Sequence, residues 1–135
     1  MSEDRAAAAQ PIRVSDAAYS AELATDREGR PIVRFHGNIT SRNPSLLLNP
    51  FVDSVHERLV QGGSRSVVVD FRELEFCNSS GFKVFLHWIE RIRAVAEGAR
   101  YRLCFSMSAT RRWQRTSLLA LSCFAPDHVQ LTPGP

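Results

Sequence analysis

No apolar run in this 135-residue chain approaches the roughly 20 residues needed to span a bilayer. A membrane partner is therefore not expected. The N-terminus is acidic before it is basic, Met1-Ser-Glu-Asp-Arg followed by four alanines and Gln10-Pro11. It has no secretory h-region, which leads us to expect a cytoplasmic protein. Cysteine is scarce: Cys77, Cys104 and Cys123 form an odd, unpatterned set in apolar surroundings. Reduced core thiols are expected rather than a disulfide framework. Also missing are a Gly-x-Ser-x-Gly elbow, a Walker loop, a His-Glu-x-x-His pair and a Cys-x-x-Cys pair. His36, His56, His87 and His128 are dispersed, with none at metal-ligand spacing to a cysteine or aspartate. These absences argue against an enzyme, a metal or a cofactor. Charge of one sign is lacking too, since the net charge of +3 has scattered sources. The one local basic cluster is Arg111, Arg112 and Arg115 interleaved with Trp113. Such a cluster can track phosphates but more often solvates a helix face, so nucleic-acid binding is a minor reading.

What is present is the balance of a globular domain, 44% hydrophobic and 23% charged, with neither an internal repeat nor an interdomain linker. Residues 1–13 read as a loose tail, 14–132 as the domain and 133–135 as a loose end. Alternation from Tyr19 to Thr25 predicts a strand, Asp26 to Arg30 a turn, and Pro31 to His36 a second strand. Together they form an antiparallel hairpin, followed by a polar loop over Thr40 to Ser45. Asn49 before Pro50 predicts a helix start, with Val55 and Leu59 at helical spacing and Gly62-Gly63 as the stop. Val67 to Asp70 reads as a strand covered on both sides and ending at its acid, with Glu73 and Glu75 on an exposed loop. Phe76 and Cys77 add a short extended piece.

A helix over Gly81 to Glu97 is the clearest element. Phe82, Phe85, Leu86, Ile89, Ile92 and Ala96 share one face, and Lys83, His87, Glu90, Arg91 and Glu97 the other. Trp88 falls at the edge of the apolar stripe, and Gly98 ends the helix. Tyr101, Leu103 and Phe105 alternate as a strand. A shorter helix, capped by Ser108 or Thr110, carries Trp113, Ala120, Leu121 and Phe124. His128 to Leu131 is a last strand. The expected fold is a single α/β domain: a mixed sheet with an N-terminal hairpin, later strands largely parallel, and about three α-helices.

The most informative segment is Asp70-Phe-Arg-Glu-Leu-Glu-Phe-Cys-Asn78-Ser79-Ser80-Gly81. It places two hydroxyls where a helix begins, beside unpaired backbone N–H groups and the positive end of the helix dipole. A phosphate added there would bring nearly two negative charges. The bland alternative is that one hydroxyl is merely the N-cap. Gly81 reads as allowing close approach of another chain or element, or as a tight turn. Lys83, one turn into the helix, could reach such a phosphate, although a solvated surface lysine is the commoner role. His87 lies on the same polar face, where a surface histidine is the commoner role. Asp70 reads as a structural acid bonding loop amides, and Cys77 as a buried thiol.

This order of elements, with the Val67–Asp70 strand and the Asn78-Ser79-Ser80-Gly81 turn, resembles the STAS superfamily of anti-sigma-factor antagonists and related partner-switching regulators. It is most similar to small stand-alone STAS-like regulators carrying Asn-Ser-Ser-Gly. These also have a Trp before a Ser-Leu-containing last helix, as Trp113 and Ser117-Leu118 are here. The resemblance covers roughly Tyr19 to Leu131. It implies a switch in bacterial signalling. A Ser/Thr kinase of the histidine-kinase-like ATPase fold, often itself an anti-sigma factor, phosphorylates the first serine, and a metal-dependent Ser/Thr phosphatase reverses this. Only the unmodified form binds the kinase. Mapped here, Ser79 is the acceptor with Ser80 as second choice, and Asn78, Ser79, Ser80, Gly81, Lys83 and His87 form the docking surface. Asn78 stands where the family usually has Asp. Two rival readings are a constitutive scaffold or self-assembly domain, in which Ser79 only caps, and a weak nucleic-acid binder through Arg111, Arg112 and Arg115.

Overall fold

Six strands form one sheet in chain order, β1 to β6, in a computed structural model that describes residues 11–133. They are β1 Ile12–Ser15, β2 Tyr19–Thr25, β3 Pro31–Ile39, β4 Ser66–Cys77, β5 Arg102–Met107 and β6 Val129–Pro133. Among the described residues the helices are α1 Ser45–Gln61, α2 Ser79–Ala94 and α3 Arg112–Phe124, with a 3₁₀ turn at Glu97–Ala99. β1, β2 and β3 pair antiparallel, and β3 to β6 pair in parallel. The mixed sheet with an opening hairpin and three helices is as expected. Its hairpin turn is built by Asp26, whose carboxylate accepts from the backbone N–H groups of Glu28 and Arg30 and from Arg30 Nε.

Several boundaries differ from the sequence reading. Ile12 and Arg13 are not tail but begin an edge strand that runs to Ser15, held because Ile12 and Val14 pack against the core while the intervening residues face out. Pro133 pairs with Met107 as the end of β6 instead of being loose. Residues 1–10 and 134–135, where the rest of the expected tails falls, lie outside the described residues. α1 starts at Ser45, so Asn49 is no cap and Pro50 sits inside the helix. Pro50 forgoes one helical N–H, but burial of Leu48 on its N-terminal side makes extending the helix across it worthwhile. β4 runs unbroken through Asp70 to Cys77, which places Glu73 and Glu75 on a strand rather than a loop.

α2 ends at Ala94, three residues before Glu97. Its buried face is Gly81, Val84, Phe85, Trp88, Ile89 and Ile92. Leu86 is exposed, and Trp88 is fully buried rather than at the edge. The start of α3 has no side-chain cap from Ser108 or Thr110, and its buried residues are Gln114, Leu118 and Leu121, not Ala120 or Phe124.

Because successive parallel strands are added on one side through right-handed crossovers, all three helices fall on one face of the sheet. That face holds one continuous core. At its centre Phe35 (β3), Phe71 (β4), Phe85 (α2) and Phe105 (β5) meet edge-to-face, with ring centroids 5.2 to 5.9 Å apart. The opposite face carries Glu22, Arg34, Asp70 and Ser106 in register.

Candidate functional site

β4 delivers the chain to the start of α2 with little freedom. Asn78 N–H donates to Ile39 O at 2.9 Å, which fastens the strand end to β3. Asn78 then leaves helical geometry (φ −74°, ψ 173°) and becomes the N-cap of α2, its Oδ1 accepting from Gly81 N–H at 2.7 Å. Its other side-chain atom, Nδ2, donates to Ser41 O at 2.9 Å in the β3–α1 loop. The cap is thus an amide, not a hydroxyl. An aspartate could make the first of these contacts but not the second, because a carboxylate has no proton to donate.

With the cap supplied by Asn78, Ser79 stands exposed on the first turn of α2 and Ser80 half-buried beside it. Both serines are inside the helix, two residues earlier than the predicted start at Gly81. Lys83, four residues beyond Ser79 and therefore on the same side of the helix, is exposed. Among the described residues no carboxylate forms an ion pair with it. A group on Ser79 would meet the first-turn N–H groups of α2 and the positive end of its dipole.

Gly81 does not belong to an exposed docking surface. It is buried, and a Cβ there would lie 2.6 Å from Cys77 Sγ and 2.8 Å from Ile39 Cγ2. The close approach it allows is between α2 and its own sheet. His87 also differs from a free surface histidine. Its Nε2 lies 2.8 Å from Asp53 Oδ1 of α1, and Arg91 Nε approaches the same oxygen at 3.3 Å. His87 thus ties α1 to α2. Asp70 is structural as expected, although its partners lie on the strand: it is nearly buried and accepts from Arg72 N–H, Nε and Nη2. Burial pushes its carboxyl up, but the Arg72 bonds and the Arg34 charge outweigh this and hold it below the usual range. Burial drives the Cys77 thiol up to about 12, so it is a poor nucleophile.

Sequence reasoning missed how α3 braces this region. Trp113 Nε1 donates to Glu75 O at 2.7 Å, and its ring packs 6.4 Å from both Phe76 and Phe82, which flank Ser79 in sequence. Gln114 is fully buried; its Nε2 donates to Phe71 O and Leu74 O, and its Oε1 accepts from Ser108 N–H. Phe76 itself is 44% exposed, and Leu46 and Leu47 in the first turn of α1 are also exposed. Of the basic cluster, Arg111 donates to Arg72 O at 2.6 Å while Arg112 and Arg115 face solvent. Among the described residues no three potential metal ligands cluster, and no helix is long and apolar enough to cross a membrane.

No protein-family model matches the chain, and no curated protein matches it significantly. Solved structures do match. An anti-sigma factor antagonist from Mycobacterium paratuberculosis is 17% identical with a TM-score of 0.56, over 87% of this chain and 89% of that one. A chain in the complex of the diguanylate cyclase SiaD with its activator SiaC from Pseudomonas aeruginosa is 19% identical with a TM-score of 0.58, over 90% of this chain and 98% of the other. At these identities the similarity establishes the fold alone, the one this chain shares with those two structures.

Proposed function

We propose that this chain is a phosphorylation-switched protein-interaction module acting in the bacterial cytoplasm, as an anti-sigma-factor antagonist or a related partner-switching regulator. Ser79 is the acceptor, with Ser80 second, and the first turns of α2 are the docking surface. The observation that carries this reading is the division of labour at the helix start: Asn78 supplies the cap, which leaves the Ser79 hydroxyl exposed and structurally unemployed. A scaffold in which Ser79 is only a cap fits this arrangement less well. The match to an anti-sigma factor antagonist is in keeping with a switching role. The complex of SiaD with SiaC illustrates the same fold within a protein–protein assembly.

The mechanism is electrostatic and steric. An unmodified Ser79 lets a partner close over the helix start, with exposed Phe76, Leu46 and Leu47 offering apolar contact. A phosphate there is stabilised by the helix N-terminus and lies within reach of Lys83, but it places an added dianion in the interface. Desolvating such a charge without a partner cation costs several kcal/mol. The partner in this scheme is a Ser/Thr kinase of the histidine-kinase-like ATPase fold, and a metal-dependent phosphatase resets the switch. Gly81 and His87, engaged within the fold, support the surface from below instead of contacting the partner.

The test couples intact-mass analysis with binding. Incubation with the cognate kinase and ATP adds one phosphoryl group, which Ser79→Ala abolishes. Ser79→Asp weakens kinase binding at least about tenfold, or 1.4 kcal/mol, while Ser79→Ala binds like wild type. Equal binding by wild type, Ser79→Asp and Ser79→Ala would sink the proposal.

A further inference from the structure

A second feature lies where β5 and β6 end and α3 begins. A cleft of about 700 Å³ opens there, at the carboxyl ends of parallel strands where open α/β sheets commonly hold ligands. Its walls divide sharply by chemistry. Met107, Leu119 and Leu131 supply an apolar side, Arg111, Arg112 and Arg115 a cationic one, and no carboxylate lines it. Some arginines elsewhere pair with acids, as Arg72 does with Asp70, Arg91 with Asp53 and Arg30 with Asp26. Among the described residues no acid pairs with Arg112 or Arg115, although they stand three apart on one helix and repel each other.

We infer that this cleft binds an organic phosphate of about nucleotide size, its phosphates gripped by Arg112 and Arg115 and its body laid against Met107, Leu119 and Leu131. Guanidinium groups match phosphate oxygens two by two, and a dianion between them turns their mutual repulsion into attraction. The hydroxyls of Ser108 and Thr116 also line the cleft and can donate to the same oxygens. The volume falls within the range of small-molecule sites. The apolar side favours a ligand with an organic body over inorganic phosphate. A nucleic-acid strand would need a longer basic track, and Arg111, which also lines the cleft, is engaged by Arg72 O. The inference is independent of the Ser79 switch, because it uses neither α2 nor any residue of that surface.

Isothermal titration of the full chain with ATP, GTP and fructose 1,6-bisphosphate tests it, with inorganic pyrophosphate and a short single-stranded RNA as comparators. At least one of the three organic phosphates binds with a Kd below about 1 mM, and more tightly than pyrophosphate. Arg112→Gln/Arg115→Gln weakens that binding at least about tenfold and Leu119→Ala weakens it less, whereas Lys83→Ala leaves it unchanged. All three substituted arginine and leucine positions are exposed, and thermal melts verify that the variants fold. Absence of binding by all three ligands overturns the inference, as does binding indifferent to the double substitution. RNA binding tighter than any of the three, lost in the same double variant, would assign the arginines to a polymer instead.

Discussion

Asn78 and Ser41, 37 residues apart, are joined by a 2.9 Å hydrogen bond from the Asn78 amide to the Ser41 carbonyl. The same side chain caps α2, so one residue fixes both the helix start and the loop that leads into α1. Asn78→Ala loses both contacts and is expected to cost about 2 kcal/mol of stability. Asn78→Asp keeps the cap, gains from the helix dipole and loses only the bond to Ser41, at a cost of about 1 kcal/mol or less. Urea unfolding of the two variants checks the order. If the aspartate variant is no more stable than the alanine one, the cap contributes nothing.

Gly81 sits where a methyl group would collide with Cys77 and Ile39. Gly81→Ala gains up to about 1 kcal/mol in helix propensity but is expected to lose about 1–3 kcal/mol to overpacking, for a net loss. Cys77→Ala in the same chain removes the sulfur that a Cβ would strike, and should recover part of the deficit. A double-mutant cycle with no coupling between the two positions would show that the contact is not the cause.

Tyr101 OH accepts from Trp88 Nε1 at 2.8 Å and lies within hydrogen-bond distance, 2.7 Å, of His56 Nδ1. Tyr101→Phe strands two buried polar atoms and is expected to cost about 2 kcal/mol or more, well beyond the loss of one exposed bond. Chemical denaturation measures it. A loss under about 0.5 kcal/mol would mean that the buried atoms find other partners.

The histidines set an acid limit. Burial, aided by the Arg91 charge, pulls His56 below its ordinary value, and burial with nearby arginines does the same to His128. Protons therefore bind the unfolded chain more readily. Stability is full above about pH 6.5 and falls as pH drops below it, by at most about 1.4 kcal/mol per pH unit for each histidine. His56→Gln should flatten this slope between pH 6.5 and 5, which thermal melts at stepped pH would reveal. A slope unchanged by the substitution would remove His56 from the account.

Asp70 acts in a lower window. Its carboxyl lies below the usual value of 3.8 despite its burial, because Arg72 bonds it three times and Arg34 adds charge. The folded form therefore gains from ionisation above pH 3.8, and the gain fades as pH falls through the lower folded value. Asp70→Asn should cost about 1–2 kcal/mol at pH 7, a modest figure because Arg72 is half exposed to water. The difference from wild type should shrink toward zero in strong acid. A penalty independent of pH would point to packing instead.

The helix of the site and the strands β2 and β5 were legible because each carries its own period: alternation in β2 and β5, and the apolar stripe of α2. Local punctuation was less reliable. Asn49-Pro50 has the pattern of a helix start, yet the burial of Leu48 extends α1 past it. β1 was overlooked because only two apolar residues, Ile12 and Val14, mark it. At the site, the exposed serines at a helix start could be read from the Asn-Ser-Ser-Gly run. Their supports could not. Ser41 to Asn78, Asp53 to His87, Glu75 to Trp113 and Phe71 to Gln114 are separated by 34 to 43 residues, and no local spacing announces such pairs.

The seat of Gly81 also limits how this domain can respond to its surroundings. With the backbone of α2 pressed against Cys77 and Ile39, the first turn has no slack to sink or rotate inward. A new charge or a docked neighbour at this corner is therefore met by a rigid anvil. Whatever message passes there is written in the outline and electrostatic potential of the surface, and the frame beneath stays still.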